Sequence, residues 1–201
     1  MPENLPVLTL SLNTFIRYYS IDHSKLIGEV SRRMLQPGGY EFYRLLSDAI
    51  KAQLRGATED EIRFILGRTS NPSEESYNKA AYEMFASKYG KKRGLTEFDK
   101  KGQVTLCDGE LVIHVTPQFA VEANSGFSVF NIWAAQHPEL DRARAGVGVH
   151  LMQQAFRRTA PNYDYKMFDA VSGKTYSAVN NTTPQAIQNV ARTIVSLAKN
   201  T

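Results

Sequence analysis

The sequence predicts an α+β protein in which helices come first, a sheet-forming half follows and a helix closes the chain. Three observations carry this. Apolar residues recur at helical spacing through the first 90 residues. From Gln103 the period switches to alternation around an Asp-Gly turn. The run Phe127 to Ala134 is apolar except for Ser128 and Asn131, so it reads as a strand buried on both faces.

The elements follow in order. Leu12, Phe15, Ile16 and Tyr19 form one helical stripe, with Ser11 as N-cap. After a loop at Pro37-Gly38-Gly39, Phe42, Leu45, Leu46, Ala49, Ile50 and Leu54 make an amphipathic helix that Gly56 ends. Thr58 and Glu61 form a capping box ahead of Ile62, Ile65 and Leu66, stopping at Gly67. Asn71, Pro72, Glu74 and Glu75 open the next helix, with the stripe Tyr77, Ala81, Met84 and Phe85 and a stop at Gly90.

The sheet half opens with Val104 and Leu106, then Asp108-Gly109, then Leu111, Ile113 and Val115, which is a hairpin pattern. Cys107 falls in this alternation as a small strand residue. Pro117 breaks or edges the next strand, Phe119 to Ala123, and Asn124-Ser125-Gly126 turns the chain into the buried strand. His137-Pro138-Glu139 opens a long helix to about Arg158, inward through Leu140, Val147, Leu151 and Ala155. Its small residues Ala143, Ala145, Gly146 and Gly148 allow close packing on a sheet. Strands around Asp164 to Val171 and Lys174 to Val179 join at Ser172-Gly173. Thr183-Pro184 caps a last helix with Ile187, Val190, Ala191, Ile194 and Leu197 inward. The expected architecture is therefore N-terminal helices, a mostly antiparallel meander, a crossover helix, a strand pair and a C-terminal helix. It forms one domain over 1–201, with a helical part over 1–90 and a sheet-containing part over 103–201.

At 201 residues, 42% hydrophobic and 22% charged, the composition is that of a globular protein able to bury a core. One cysteine excludes an intramolecular disulfide and suits a reducing compartment, so the expectation is cytoplasmic. The N-terminus lacks a secretory-signal pattern and no apolar run reaches the ~20 residues that cross a bilayer, so no membrane partner is expected.

The chain carries no GxxxxGK[ST], GxSxG, HExxH or CxxC, and its four histidines have no ligand spacing, so no metal or cofactor site is expected. No complete catalytic constellation is present, which leans away from an enzyme. The net charge is +4, with clusters at Arg32-Arg33, at Lys88, Lys91, Lys92 and Arg93, at Arg142 and Arg144, and at Arg157-Arg158. Each cluster fits a solvated helix end as well as a phosphate-binding face.

Over about residues 8–179 the order of elements resembles the RecB-like branch of the PD-(D/E)XK nuclease superfamily, a restriction-endonuclease-like fold. That resemblance implies carboxylates holding one or two magnesium ions and a lysine activating water. Laid on this chain, Val115-Thr116-Pro117-Gln118 puts Gln118 at the first acidic position. Val129-Phe130-Asn131-Ile132-Trp133 puts Asn131 at the second and Trp133 at the lysine. Two amides and an indole cannot supply that chemistry. In Tyr40-Glu41-Phe42-Tyr43, Glu41 is the one possible survivor of the family's acidic set.

Three functions stay open on the sequence. The first is a non-catalytic nuclease-like domain that binds nucleic acid or serves a nucleic-acid-processing complex, through Lys88, Lys91, Lys92, Arg93, Arg142, Arg144, Arg157 and Arg158. The second is a protein-interaction or assembly module, with a protein partner or a second copy meeting Tyr18-Tyr19, Tyr40, Tyr43, Tyr163 and Tyr165. The third is a metal-dependent hydrolase with an unorthodox site, needing convergence of carboxylates such as Glu41, Asp108, Glu110 and Glu122.

Overall fold

Helix α1 (Leu12–Ser20) begins where Ser11 predicts, the Ser11 hydroxyl accepting from the Thr14 amide at 3.2 Å in a computed structural model that describes residues 6–36, 41–123 and 126–201. The expected loop at Pro37–Gly39, Tyr40 and the Asn124-Ser125 part of the expected turn lie outside the described residues. Two elements of this region escape the periodicity. Strand β1 (Leu8–Ser11) has four residues and depends on a distant partner. Helix α2 (His23–Leu35) buries only Leu26 and Val30, too sparse a stripe to read beside its polar residues.

Helix α3 (Arg44–Leu54) has no side-chain cap of its own at Tyr43. Instead, Asn78 accepts from the Leu46 amide at 3.2 Å and donates to the Phe42 and Glu74 carbonyls at 2.8 Å each. Asn78 belongs to α5 (Pro72–Tyr89), so one helix caps another. Helix α4 (Glu59–Leu66) forms the full predicted capping box. The buried stripe of α5 runs Glu74, Asn78, Ala81, Phe85 and Tyr89, which corrects the expectation for Tyr77, 39% exposed.

The strands form two sheets rather than one meander. Strands β3 (Gly102–Leu106) and β4 (Leu111–Val115) make the expected hairpin, and β1 adds parallel to β4. The turn is a short 3₁₀ segment in which Cys107 (φ 52°) and Asp108 (φ 53°) are left-handed, so Cys107 is a half-buried turn residue and not a strand residue. Strand β5 (Phe119–Ala123) leaves this sheet at Thr116-Pro117 and starts the second. Its order is β2 (Leu95–Glu97), β5, β6 (Gly126–Trp133), β7 (Asp164–Asp169) and β8 (Thr175–Tyr176). Proline lacks the amide that a continuous ladder would need there.

Strand β6 is two-sided as predicted. Val129 and Trp133 enter one core with residues of α1, β4, α6 (Arg142–Phe156) and α7 (Thr183–Lys199). Phe130 and Ile132 enter another with Leu46, Ile50, Phe85 and Tyr89 of α3 and α5. Helix α6 starts at Arg142, not at His137-Pro138-Glu139, because Asp141 caps it by accepting from the Arg144 amide at 2.9 Å. It returns the chain so that β7 lies parallel to β6. Gly148 permits this crossover to sit close: a Cβ there would stand 2.5 Å from Met167 Sδ of β7. Thr182, with no side-chain bond, precedes α7, and Thr183 is buried inside it. The chain is a mixed α+β structure with helices on both faces of the larger sheet.

Candidate functional site

Ile132, near the carboxyl end of β6, has both of its backbone groups bound by side chains. Beyond Phe119, Pro117 has ended the β5 ladder, and the Gln118 side chain takes the next rung. Its Oε1 accepts from the Ile132 amide at 2.7 Å, while its Nε2 donates to the Thr116 carbonyl at 3.2 Å. Asn13, in the first turn of α1, donates to the Ile132 carbonyl at 2.9 Å and accepts from Asn131 Nδ2 at 2.8 Å. Three amides thus form a clamp on the backbone of one residue, replacing the strand that the proline removed. A buried backbone group without a partner would cost about 1–3 kcal/mol, so the clamp has a structural reason to exist.

The clamp borders a cleft of about 70 Å³ lined by Asn13, Tyr43, Leu46, Ser47, Ile50, Gln118, Ile132 and Ala134. Ligand pockets run to about 300–1,000 Å³, so this space suits no nucleotide-sized molecule. Gln118 lines this cleft together with Asn13, which no motif signalled, and Asn131 is linked to it through its bond to Asn13. Trp133 does not join them. It is buried in the α1/α6/α7 core, and its Nε1 has no hydrogen-bond partner among the described residues.

The carboxylates do not assemble around the clamp. Glu41 is exposed and does not line the cleft. Glu110 pairs with Lys199. Glu122 is exposed at the far end of β5, and Asp108 lies in the hairpin turn. Asp169 is buried beside Trp133, but it accepts from the Val171 amide and the Ser172 hydroxyl to close the β7–β8 turn. Among the described residues no three His, Cys, Asp or Glu side chains are placed to hold a metal ion. Neutral amides whose groups are bound to backbone do not fit a magnesium site, which needs carboxylate charge.

The basic residues divide between the two ends of the larger sheet. Helix α6 has 15 residues, about 22 Å, so Arg142 and Arg144 at its start stand far from Arg157 and Arg158 just beyond its end. Arg144 is also held by Asp141 and the Glu139 carbonyl. Lys88 lies against Gly173 in the β7–β8 turn, at the clamp's end of the sheet. At the opposite end, a chain of contacts brings Arg93, Lys100 and Arg158 near one another, while Lys92 lies 5.2 Å over the Tyr89 ring. The Glu122 amide bonds the Gly94 carbonyl at 2.9 Å, next to Arg93. Glu122 pairs with Phe127, whose ring is 5.1 Å from that of Tyr163. Lys100 sits 5.6 Å over Tyr163 and donates to the Thr159 carbonyl at 3.2 Å, beside Arg158. Lys91, Lys92, Arg93, Lys100, Lys101, Arg157 and Arg158 are all exposed, and none forms an ion pair among the described residues. Lys100 and Lys101 escaped the motif reading because only the fold brings them beside α6.

Fold and site together define an α+β protein with an uncharged, self-satisfied clamp where the expected motif falls and a basic rim at the other end. No family model matches the chain, and no curated protein matches it. Among solved structures, one titled "Crystal structure of SSO0001" is similar over 90% of this chain and 88% of that chain, at 10% identity and a TM-score of 0.37. No helix among the described residues is long and apolar enough to cross a membrane.

Proposed function

We propose that this chain is a non-catalytic, nuclease-like domain that binds nucleic acid. The carrying observation is the pair of ends of the larger sheet: bound amides where magnesium ligands would stand, and seven exposed cations without ion pairs at the opposite end. The PD-(D/E)XK resemblance supplies the reason to read these two ends together. Loss of ligand charge removes metal-assisted hydrolysis, while unpaired lysine and arginine retain phosphate binding.

The test is fluorescence anisotropy with labelled DNA and RNA oligonucleotides at low salt, alongside a cleavage assay with magnesium or manganese. The expected result is binding that weakens steeply between about 50 and 200 mM salt, without cleavage. Absence of binding at micromolar protein overturns the binding half. Metal-dependent cleavage that Glu41→Gln or Glu122→Gln abolishes overturns the non-catalytic half.

One observation favours an interaction module as a second reading. Leu35 and Phe64, on α2 and α4, are 76% and 73% exposed and offer large apolar side chains to a partner. Light scattering separates the two: a concentration-dependent oligomer that Phe64→Ser dissolves supports self-association.

A further inference from the structure

The amide clamp and the basic rim stand at opposite ends of β6, whose eight residues span about 23 Å. A nuclease-like domain that still used its vestigial cleft would gather phosphates near Gln118 and Asn131. Here the cleft is small and uncharged, and the unpaired cations lie elsewhere. We infer that the rim formed by Lys91–Arg93, Lys100–Lys101 and Arg157–Arg158 is a binding site for single-stranded nucleic acid, with Tyr163 as its stacking platform. This rests on the nucleic-acid reading above and assigns it a surface.

Charge and rings both argue for the rim. Its seven cations face only two unpaired carboxylates, Asp99 and Glu122, since Asp164 is taken by Lys166 at 2.8 Å. That excess is larger than the +4 of the entire chain, so the remainder of the molecule is not basic. Between Arg93 on one side and Lys100, Arg157 and Arg158 on the other lie the half-buried rings of Phe127 and Tyr163. Basic side chains interleaved with aromatic rings hold a strand whose bases are free to stack, a feature that duplex lacks. The Tyr163 ring is held by Phe98 and Phe127 with centroids at 6.4 and 5.1 Å, and Lys100 Nζ lies 5.6 Å over it, so a base stacking there takes the place of the Lys100 ammonium and leaves that cation for a phosphate.

The experiment measures anisotropy of labelled single-stranded DNA, single-stranded RNA and duplex DNA with the full chain. Arg157→Ala/Arg158→Ala is compared with the charge-matched Lys88→Ala/Arg142→Ala from the clamp's end. The rim pair is expected to weaken single-strand binding about tenfold and to reduce the slope of log K against log salt by about 1.4, two single-strand phosphate contacts. The control pair is expected to change affinity less than about twofold. Tyr163→Leu is expected to lose about tenfold and Tyr163→Phe to retain wild-type affinity, as stacking needs the ring and not the hydroxyl. Thermal melting of each variant shows whether it is folded. No binding by the wild-type chain overturns the nucleic-acid reading itself. Wild-type binding with equal losses in the two arginine-containing pairs, or with preference for duplex, leaves that reading standing and overturns the rim. The two single-strand arms tell DNA from RNA.

Discussion

Trp133 illustrates how far a side chain's chemistry depends on which core it enters. It is 2% exposed, and its ring fills the α1/α6/α7 core while its indole N–H meets no acceptor among the described residues. An unmade bond of that kind costs about 1–3 kcal/mol, offset here by burial of a large ring. Trp133→Phe keeps most of that burial and removes the orphan donor, so urea denaturation is expected to show stability unchanged or raised by about 1 kcal/mol. Trp133→Ala is expected to lose about 3–5 kcal/mol through the cavity it leaves. Gln118 reverses this pattern, as its amide is consumed on both sides by backbone. Gln118→Ala leaves the Ile132 amide without its partner and is expected to lose about 1–3 kcal/mol, with faster hydrogen exchange at Ile132.

At the scale of elements, α6 and β7 are joined by the absence of a side chain. Gly148 faces Met167 so closely that an added methyl must displace the Met167 sulfur or Ile16, whose Cδ1 would be 3.0 Å away. Gly148→Ala is expected to destabilise by about 1–3 kcal/mol in denaturant melts, despite alanine's better helix propensity. Adding Met167→Ala should cost less in that background than alone, because the two sites share one space. The small residues of α6 signalled close packing in the sequence, but the partner strand did not. Helix α3 makes the complementary point. Its stripe was legible, yet its cap is Asn78, 32 residues away in α5. No local rule for N-caps finds such a partner.

For the whole molecule, ionisation of buried tyrosines sets an alkaline limit. Burial, with neighbouring Tyr163 adding to it, pushes the Tyr165 hydroxyl up to about 12. Its O–H donates to the Ala160 carbonyl at 2.8 Å. Burial likewise raises Tyr18, Tyr43 and Tyr89. The folded chain therefore holds these protons more tightly than the unfolded chain, whose tyrosines ionise near 10. This stabilisation is complete below about pH 10 and is lost as pH rises toward about 12. Denaturant melts across that range should show stability falling steeply, with a shallower fall in Tyr165→Phe. A flat profile between those limits would contradict the burial of these hydroxyls.

Legible in the sequence were the α+β class, most of the helices, the hairpin, the two-sided strand β6 and a crossover helix at α6, though not that β7 would lie parallel to β6. Those features rest on local periodicity, caps and turn residues, each visible within a few positions. It also gave the residue types at Gln118, Asn131 and Trp133, two amides and an indole, since residue identity needs no fold. Tertiary structure alone decided that β1 joins β4, that Pro117 divides the strands into two sheets and that Asn13 completes the clamp. It also separated Trp133 from the amides, and Lys88, Arg142 and Arg144 from the cations of the rim. These are contacts between residues distant in sequence. Their geometry follows from how the helices and sheets pack, and no short-range pattern encodes it.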